Sequence, residues 1–290
     1  MTSAALGFGV SGPHGASWFS ERELARLVAQ AIDGGIRHFD TAPFYGDAEA
    51  RLGRALKALR VKAAVVSTKT GTRRKGRRVI KDFTHASICA DADASLERLN
   101  TERLDALYLH GPSPQEAEYA QDALEALKRE GKIAAYGVCG EGLALERAVA
   151  LGFGAIMGAY NVIDRRHEAV FAAARAAGAV TVGIAPLAKG AIAAPIFLPR
   201  RPADLWTLAR ALARGAAGRA EAAQAREAMA DLALARGQSR ASAALAFVLR
   251  SGVTDLTLTT TTSPAHLAEA LEASHQHAPP SALDPQGARS

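Results

Sequence analysis

The sequence predicts a single α/β domain folded as a (β/α)8 TIM barrel over residues 1–290. Eight short apolar segments alternate with eight longer segments of helical spacing along the whole chain. Strict strand–helix alternation is typical of a parallel sheet, and eight repeats are the number that closes a barrel. The length of 290 residues and a hydrophobic fraction of 49% agree with one domain and a large core. Residues from about 275 to 290 are expected to form a flexible tail.

The predicted strands are short and apolar, and they lie at 5–10, 36–39, 63–68, 104–109, 133–138, 154–159, 180–185 and 254–259. The helical segments lie at 21–33, 47–58, 85–99, 114–130, 143–151, 165–177, 206–235 and 264–273. Three helices have N-terminal signals, namely Ser20 with Glu23, Ser113 before Pro114, and Ser263 before Pro264. Glycines end other helices, at positions 34–35, 131 and 178.

An open, doubly wound sheet is the main alternative fold. Such a sheet carries a glycine-rich turn after its first strand, and GFGVSG at 7–12 resembles one in part. The glycine spacing does not match the dinucleotide-binding fingerprint, and no acidic residue follows at the distance that the fingerprint requires. The barrel is therefore the prediction. The proline-containing stretch 186–205 is predicted to be a long loop after the seventh strand, on the rim where barrel sites lie.

Composition argues against several classes of protein. No segment approaches the roughly 18 apolar residues of a membrane span, and the N-terminus lacks the basic start of a signal peptide. The two cysteines, Cys89 and Cys139, do not form a disulfide framework and have no neighbours at zinc-site spacing. We therefore expect a cytoplasmic protein with no membrane partner and no metal site.

The charge balance is basic, with 35 Lys and Arg against 29 Asp and Glu and a net charge of +6. One dense cluster, TRRKGRRVIK at 72–81, holds Arg73, Arg74, Lys75, Arg77, Arg78 and Lys81. No aromatic residues interleave it and no nucleic-acid-binding motif surrounds it, so we expect no nucleic-acid partner. The cluster is interpreted as a solvated loop, and the alternative is electrostatic attraction of a phosphorylated or acidic ligand.

Four residues are expected on the C-terminal rim, where TIM-barrel enzymes have their active sites. Asp40 follows the second strand, and Tyr45 lies in the turn after it. Lys69 follows the third strand, and His110 follows the fourth. Each has an ordinary structural alternative, such as a turn cap, a rim charge, a structural hydrogen bond or packing. Because the same rim position recurs on three successive strands, a shared site explains the four residues better than coincidence.

The chemistry of these residue types favours proton transfer at a carbonyl oxygen. Free tyrosine titrates near pH 10, and a neighbouring ammonium group lowers that pKa because it stabilises the phenolate. A carboxylate keeps the ammonium group charged, and an imidazole can polarise a carbonyl beside the phenol. The group contains no activated serine or thiol. Hydride transfer to a carbonyl is the reaction that these residues favour.

Six segments resemble the signature of the aldo-keto reductase superfamily, in that family's order and over nearly the whole chain. They are GGIRHFDTAPFYGDAEARLGRAL (34–56), VVSTKTG (65–71), SLERLNTERLDALYLHGP (95–112), LKREGKIAAYGV (127–138), YNVIDR (160–165) and TTSPAHLAEAL (261–271). The resemblance implies a (β/α)8 barrel and NADPH-dependent interconversion of carbonyls and alcohols. It also implies that Tyr45 is the general acid and that Lys69 and Asp40 adjust its acidity. His110 would orient the substrate carbonyl.

The sequence departs from this family where the cofactor is expected. The family's Ser-Asn pair after the fifth strand is replaced by Cys139 and Gly140, and its glutamine on the sixth strand by Met157. The catalytic part of the signature is retained, whereas three polar contacts to the nicotinamide carboxamide are absent. The resemblance still implies NADP(H), with NAD(H) as the alternative, at Cys139, Gly140, Met157, Tyr160, Pro186, Leu187, Gly190, Thr261, Thr262, Ser263 and His266.

The adenosine end of the cofactor is expected at the start of the last helix, in 259–267. Ser263 as N-cap and Pro264 at the first helical position would leave backbone N–H groups for a phosphate. Relatives typically place a Lys or Arg in this segment, but residues 251–273 contain neither, and His266 is their one basic residue. We therefore expect a preference for NADPH over NADH of less than about tenfold.

The favoured function is that of an oxidoreductase interconverting an aldehyde or ketone and the corresponding alcohol by hydride transfer with a nicotinamide cofactor. Two alternatives stay open. The missing cofactor contacts favour a nucleotide-sensing protein without catalysis, and Lys69 could be the Schiff-base nucleophile of a barrel lyase. Asp40 argues against the lyase because it would keep Lys69 protonated. The sequence predicts neither the identity of the substrate nor an oligomeric state.

Overall fold

The computed structural model describes residues 5–188 except 62 and 77, residues 237–276, and the scattered positions 205, 223, 226–227, 229–230 and 233–234. Its strands are β1 (Ala5–Gly9), β2 (His38–Asp40), β3 (Val65–Thr70), β4 (Thr72–Lys75), β5 (Arg78–Lys81), β6 (Leu104–His110), β7 (Ile133–Cys139), β8 (Ala155–Ala159), β9 (Val180–Ile184) and β10 (Leu256–Thr259). Its α-helices are α1 (Glu21–Asp33), α2 (Ala48–Ala58), α3 (His85–Leu99), α4 (Pro114–Arg129), α5 (Leu143–Ala150), α6 (Glu168–Ala176), α7 (Arg240–Arg250) and α8 (Pro264–His275).

Eight parallel strands close into a barrel in the order β1, β10, β9, β8, β7, β6, β3 and β2. Helices follow the strands and pack around the barrel, so the predicted (β/α)8 fold is confirmed. β4 and β5 stand apart from the barrel as a two-stranded antiparallel hairpin. Within the described residues, no helix is long and apolar enough to cross a membrane.

The core has two layers because side chains alternate between the two faces of each strand. Outward residues such as Leu107, Val138 and Ile156 pack with the helices in the large outer core. The inner face of the β6–β10 side forms a smaller apolar group of Tyr108, Cys139, Ala155, Met157, Val182 and Leu258, which we call the inner cluster. Residues on this inner face that lie nearer the C-terminal ends of the strands are therefore found at the rim of the barrel.

The predicted helix starts are confirmed. The Ser20 hydroxyl accepts the Glu23 N–H, and the Ser263 hydroxyl accepts the His266 N–H, both at 3.4 Å. Ser113 and Ser20 both form complete capping boxes: the Ser113 hydroxyl accepts the Glu116 N–H at 3.1 Å while its own N–H donates to the Glu116 carboxylate, and the Ser20 N–H donates to the Glu23 carboxylate at 3.3 Å.

The hairpin of β4 and β5 corrects the prediction of a solvated loop at 72–81. Thr72 pairs with Lys81 and Lys75 pairs with Arg78, so the charged residues form a ladder around a turn at Gly76, whose φ is +63°. Glycine adopts this left-handed conformation without steric cost. The density of charge concealed the alternation that a strand would otherwise reveal.

Helix α7 was not predicted. Its residues Ser242, Ala243, Leu245, Val248 and Leu249 are buried, as are Ala244 and Ala246 between them. A helix whose side chains are small or apolar around most of its surface has no clear polar stripe, and this explains why the sequence pattern did not reveal α7. The helix predicted at 206–235 and the loop predicted at 186–205 lie mostly outside the described residues.

His275, at the approximate start of the predicted flexible tail, belongs to α8. The Nε2 atom of His275 lies 2.9 Å from the carbonyl oxygen of Gly34 at the end of α1. Residues 277–290, which make up the rest of that prediction, lie outside the described residues.

Candidate active site

Three of the four predicted catalytic residues lie on the inner face at the C-terminal strand ends. His110 ends β6 two residues after Tyr108, a member of the inner cluster, and therefore shares its face. Lys69 lies opposite Tyr108 in the pairing of β3 with β6. Asp40 ends β2 and lies opposite Ser67. Adjacent strands therefore bring the three side chains to one part of the rim.

Lys69 and Asp40 form a buried ion pair. Lys69 is 1% exposed and Asp40 is 5% exposed. The Lys69 ammonium group donates to an Asp40 carboxylate oxygen and, at 2.9 Å, to the carbonyl oxygen of Thr41. The hydroxyl of Ser67 donates to the other Asp40 oxygen at 2.8 Å. Burial, the largest single influence, would lower the pKa of Lys69, but the charge and hydrogen bond of Asp40 together with the nearby Tyr45 and Cys139 outweigh it and raise that pKa above its usual range.

Tyr45 ends a short 3-10 turn, Pro43–Tyr45, that crosses the barrel mouth above this pair. The Lys69 Nζ atom lies 5.6 Å from the centre of the Tyr45 ring. The turn rests on the loop after β1, where a Cβ atom at Gly15 would lie 1.5 Å from the Tyr45 carbonyl oxygen. Only glycine permits this approach, so Gly15 fixes the height of the Tyr45 backbone above the barrel.

His110 closes the group on the β6 side. Its ring centre lies 5.9 Å from that of Tyr45 and 5.7 Å from that of Phe44. Burial, followed by the positive charges of Lys69 and Lys81, lowers the pKa of His110 to about 3, so the imidazole is neutral at ordinary pH. Its Nδ1 atom is buried and makes no hydrogen bond within the described part of the chain.

The basic hairpin lies against the same rim. β4 packs on the turn that carries Tyr45. The Thr72 hydroxyl donates to the His110 carbonyl oxygen at 2.6 Å, and Lys81 donates to that of Gly111 at 2.6 Å. Arg74 stacks over Phe44, with 4.8 Å between the guanidinium carbon and the ring centre. Arg73 is instead neutralised by nearby carboxylates, the nearest being Asp91 at 3.2 Å.

The β7–β8 side of the rim has a different character. Cys139 ends β7 and lies opposite Met157 in β8, and both are buried in the inner cluster. Burial raises the pKa of the Cys139 thiol to about 11, which keeps it protonated and neutral. The Gly140 N–H donates to the Met157 carbonyl oxygen at 3.0 Å. The structure therefore brings these three predicted cofactor residues together, without an ionised group among them.

A comparison with known families identifies the chain. The sequence profile described as "Aldo/keto reductase family" matches residues 5–282. The chain belongs to the aldo/keto reductase family.

Two curated relatives match in part. The chain is 36% identical to L-galactose dehydrogenase of Arabidopsis thaliana over 147 residues, which cover 47% of this chain and 44% of that protein. It is 30% identical to an aldo-keto reductase of Bacillus subtilis over 177 residues, which cover 58% and 53% of the two chains. The chain thus matches about half the length of these curated relatives.

The fold comparison extends over the whole barrel. A glycerol dehydrogenase structure from Gluconobacter oxydans superposes with a TM-score of 0.75, covering 98% of this chain and 95% of that one. The two sequences are 24% identical, so this likeness concerns the fold alone. It agrees with the closed barrel of parallel strands.

Tyr160 occupies a different place from the other predicted cofactor residues of this aldo/keto reductase. Its ring is 1% exposed and stacks on Phe247 of α7, and it meets Phe171 of α6 edge to face. Its hydroxyl donates to Glu168 at 2.9 Å. The structure therefore packs Tyr160 within the helical layer and does not bring it to Tyr45 or Lys69.

Sequence reasoning missed Asn161, which shapes the backbone before Pro186 and Leu187. Its Nδ2 atom donates to the carbonyl oxygen of Ala185 at 3.1 Å, and Ala185 has the left-handed φ of +56°. This conformation is uncommon for a residue other than glycine, so the hydrogen bond helps to hold it. Leu187 packs against buried residues of α7, and the remaining predicted contact, Gly190, lies outside the described residues.

The predicted adenosine segment follows β10. Ser263 caps α8, and its own N–H donates to the Thr261 hydroxyl at 3.1 Å, while Thr262 lies half-buried between them. His266 is exposed in the first turn of α8. Because Pro264 has no N–H and the His266 N–H already bonds Ser263, fewer backbone donors face outward than the sequence suggested.

His14 is a second residue that sequence reasoning missed. It is completely buried in the Gly12–Gly15 turn after β1. Its Nδ1 atom accepts the Ser11 N–H at 3.2 Å, so its Nε2 atom donates to the Thr261 carbonyl oxygen at 3.0 Å. The signal was a histidine within GPHG, directly after an apolar strand. His14 thus links the loop under Tyr45 to the predicted adenosine segment.

Proposed function

We propose that this aldo/keto reductase interconverts an aldehyde or ketone and the corresponding alcohol by hydride transfer, with Tyr45 as general acid and base. The observation that carries the proposal is the buried Lys69–Asp40 pair beneath the Tyr45 ring. A buried ammonium group 5.6 Å from the ring centre stabilises the phenolate more than the phenol, because the two charges are opposite. The attraction is strong because the ammonium group lies in a medium of low dielectric.

Each residue of the group has a separate part in the proposed reaction. Tyr45 donates its phenolic proton to the carbonyl oxygen during reduction and recovers it during oxidation. Lys69 remains charged throughout, because Asp40 and the Thr41 carbonyl both accept hydrogen bonds from its ammonium group. Neutral His110 can donate one N–H hydrogen bond, which orients the carbonyl oxygen beside the phenol without competing for the proton.

A nicotinamide cofactor would supply or accept the hydride. The β7–β8 side fits such a group through neutral residues, because Cys139 and Met157 lie in the apolar inner cluster and the Cys139 thiol is protonated. Cys139, Gly140 and Met157 would hold its nicotinamide end. Thr261, Ser263 and His266 would hold its adenosine end. We propose NADP(H), with a preference over NAD(H) of less than about tenfold because His266 replaces a permanent charge.

Two alternatives make different predictions. A Schiff-base lyase needs an uncharged Lys69, whereas the Asp40 charge raises the pKa of that amine. Borohydride should therefore trap no substrate on Lys69. A nucleotide-sensing protein without catalysis is favoured by the apolar surroundings of Cys139 and Met157, and it would bind the cofactor without oxidising it.

The proposal is tested by titrating the protein with NADPH and NADH and following the fluorescence of the cofactor. Aromatic and aliphatic aldehydes are then screened by loss of the reduced cofactor's absorbance. L-galactose is included for the oxidative direction, because one relative is an L-galactose dehydrogenase. Cofactor binding with no turnover of any carbonyl or alcohol would favour the sensing function, and absence of both would exclude the proposal.

A further inference from the structure

The charges around Tyr45 do not balance. Lys69 and Asp40 cancel each other, and His110 is neutral. The adjoining hairpin adds Arg74, Lys75, Arg78 and Lys81, for which the described residues offer no acidic partner within ion-pair distance. The barrel mouth beside Tyr45 therefore carries a positive charge that no carboxylate in the described structure neutralises.

Arg74 is the cation best placed to meet a ligand. Its guanidinium group lies on the face of Phe44, and the same ring contacts both Tyr45 and His110 edge to face at 6.0 and 5.7 Å. Stacking on an aromatic ring orients the planar guanidinium while leaving its N–H donors at the edge. Such a group can bind two oxygens of a carboxylate or phosphate at once.

Lys81 places a second cation beside the residue that follows His110. Its ammonium group is anchored at 2.6 Å on the carbonyl oxygen of Gly111, the residue after His110. A lysine ammonium group has three N–H donors, and this anchor uses one of them. Arg74 and Lys81 thus stand on one hairpin, close to the residues expected to hold the carbonyl oxygen.

We propose that the preferred substrate is a carbonyl compound that carries an anionic group, a carboxylate or a phosphate, bound by Arg74 with support from Lys81. This inference rests on the proposed function, because it names the substrate class of the same site. The hairpin follows β3, and in the barrel β2 and β1 separate that strand from β10, which leads to the predicted adenosine segment. The two cations are therefore assigned to the substrate and not to a cofactor phosphate.

The test compares substrates that differ by one charge. Reduction of para-carboxybenzaldehyde is compared with that of para-formylbenzamide, and reduction of glyceraldehyde phosphate with that of glyceraldehyde. We expect kcat/KM to favour at least one anionic partner by about tenfold at low ionic strength. The preference should shrink in about 0.5 M salt, where the Debye length falls to a few ångströms. The substrate pair with the larger ratio of anionic to neutral kcat/KM shows whether the site prefers a carboxylate or a phosphate.

Two hairpin variants locate the effect. Arg74→Gln should lower kcat/KM for the anionic substrate about tenfold, mainly through KM, and change the neutral substrate by less than about twofold. Lys75→Gln removes an equal charge from the same hairpin at an exposed residue that has no ring contact or hydrogen bond with Phe44 or His110 in the described part of the chain, and it should change neither. Arg74→Lys should keep part of the preference for the anionic substrate that Arg74→Gln loses, because lysine retains the positive charge but cannot bind two oxygens at once as a guanidinium group does.

Several results would overturn this inference. They are equal kcat/KM values for charged and neutral partners, an equal loss for both in Arg74→Gln, or an Arg74→Gln variant with weaker NADPH binding and an unchanged substrate preference. Calorimetric titration with benzoate separates this inference from the proposed function. Benzoate binding that is lost in Arg74→Gln, in a protein that reduces no aldehyde, would sustain the anion site and reject the reductase.

Discussion

The two sides of the barrel rim are built in different ways. On the side of β2, β3 and β6, Asp40, Lys69 and His110 bring ionised and polar groups into the buried interior. On the side of β7 and β8, Cys139 and Met157 occupy inner positions with neutral, apolar surroundings. One half of the candidate site is therefore held by charge and hydrogen bonds, and the other half by packing.

This difference determines how each side should respond to substitution. A buried ion pair is sensitive because removal of one partner leaves an uncompensated charge in a medium of low dielectric. An apolar cluster tolerates exchange of side chains of similar volume, but it opposes the burial of a new polar group. Substitutions on the polar side should therefore change chemistry and stability together, whereas those on the apolar side should change stability and cofactor affinity.

The largest effect is expected for Tyr45→Phe. The variant keeps the ring and its contacts with Phe44 and His110 but has no proton to donate. General acid catalysis is worth about a hundred- to ten-thousandfold, so kcat for carbonyl reduction should fall within that range. The Kd for NADPH, measured by fluorescence, should stay within about twofold. A variant that keeps half of the parent rate would remove Tyr45 from the mechanism.

Lys69→Met should abolish activity and also destabilise the fold. The substitution removes the charge beneath Tyr45 and leaves the Asp40 carboxylate buried with only the Ser67 hydroxyl as a donor among the contacts described here. Breaking a buried pair costs about 3 kcal/mol or more of the free energy of unfolding. Urea unfolding at neutral pH measures this loss.

The double variant Asp40→Asn, Lys69→Met is the control for that prediction. It removes both charges, so it should recover part of the stability lost in Lys69→Met and none of the activity. If the double variant is no more stable than Lys69→Met, the two residues are not coupled as their geometry indicates.

The barrel and the polar half of its site were accessible to sequence reasoning because both depend on local patterns. Alternation of strands and helices predicts the closed barrel, and residues at strand ends must share a rim. The position of Lys69 differed in detail, since β3 continues to Thr70 and the lysine lies within the strand. Its inward direction follows from the alternation that also places Tyr108 inside.

The remaining features depend on contacts between distant parts of the chain, which no local pattern encodes. His14 contacts Thr261 in the loop after the neighbouring strand β10, and Arg74 contacts Phe44 in the turn after β2, although each pair is distant in sequence. The buried carboxylate of Glu49 likewise accepts the Thr68 hydroxyl and pairs with Arg98, each at 2.6 Å. For Tyr160, a local motif predicted a contact with the cofactor, whereas its ring packs within the helical layer.

His14 links the loop after β1 to the segment after β10, and its titration should appear in the stability of the protein. Burial lowers the pKa of His14 to about 4, below the value of about 6.5 expected in the unfolded chain. The unfolded state therefore binds the proton more readily, and stability is lost as pH falls from 6.5 toward 4. The contribution of His14 between pH 7 and pH 5 is about 2 kcal/mol of the unfolding free energy.

Urea unfolding of the parent and of His14→Gln at the two pH values isolates this contribution. Glutamine does not titrate, so between pH 7 and pH 5 the free energy of unfolding should fall by about 2 kcal/mol less in the variant than in the parent. This difference is expected whatever the stability of the variant at either pH. Burial lowers the pKa of His110 and of His38 as well, so both contribute to the pH dependence that remains. An unchanged pH dependence in the variant would show that His14 is not held neutral by the fold.

A stability effect similar in size to that of His14 is expected for Met157→Gln, which introduces a polar group on the apolar side. Met157 is 1% exposed and contacts the apolar residues of the inner cluster, so the new amide would be buried with few partners. An unpaired buried amide costs about 1–3 kcal/mol of the unfolding free energy in the protein without cofactor. Met157→Leu preserves the volume and adds no polar group, so it should cost less than about 1.5 kcal/mol.

If the nicotinamide end lies beside Met157, the variant that is less stable without cofactor should be the one that binds NADPH more tightly. The bound cofactor would give the glutamine amide a partner, so Met157→Gln should bind NADPH up to about tenfold more tightly than Met157→Leu while remaining the less stable protein without it. Thermal unfolding with and without an excess of NADPH measures both quantities, because the stabilisation of the folded state by a ligand at fixed concentration grows with the logarithm of its affinity. Equal NADPH affinities in the two variants would place the nicotinamide elsewhere, and the apolar side of the rim would then be only part of the core.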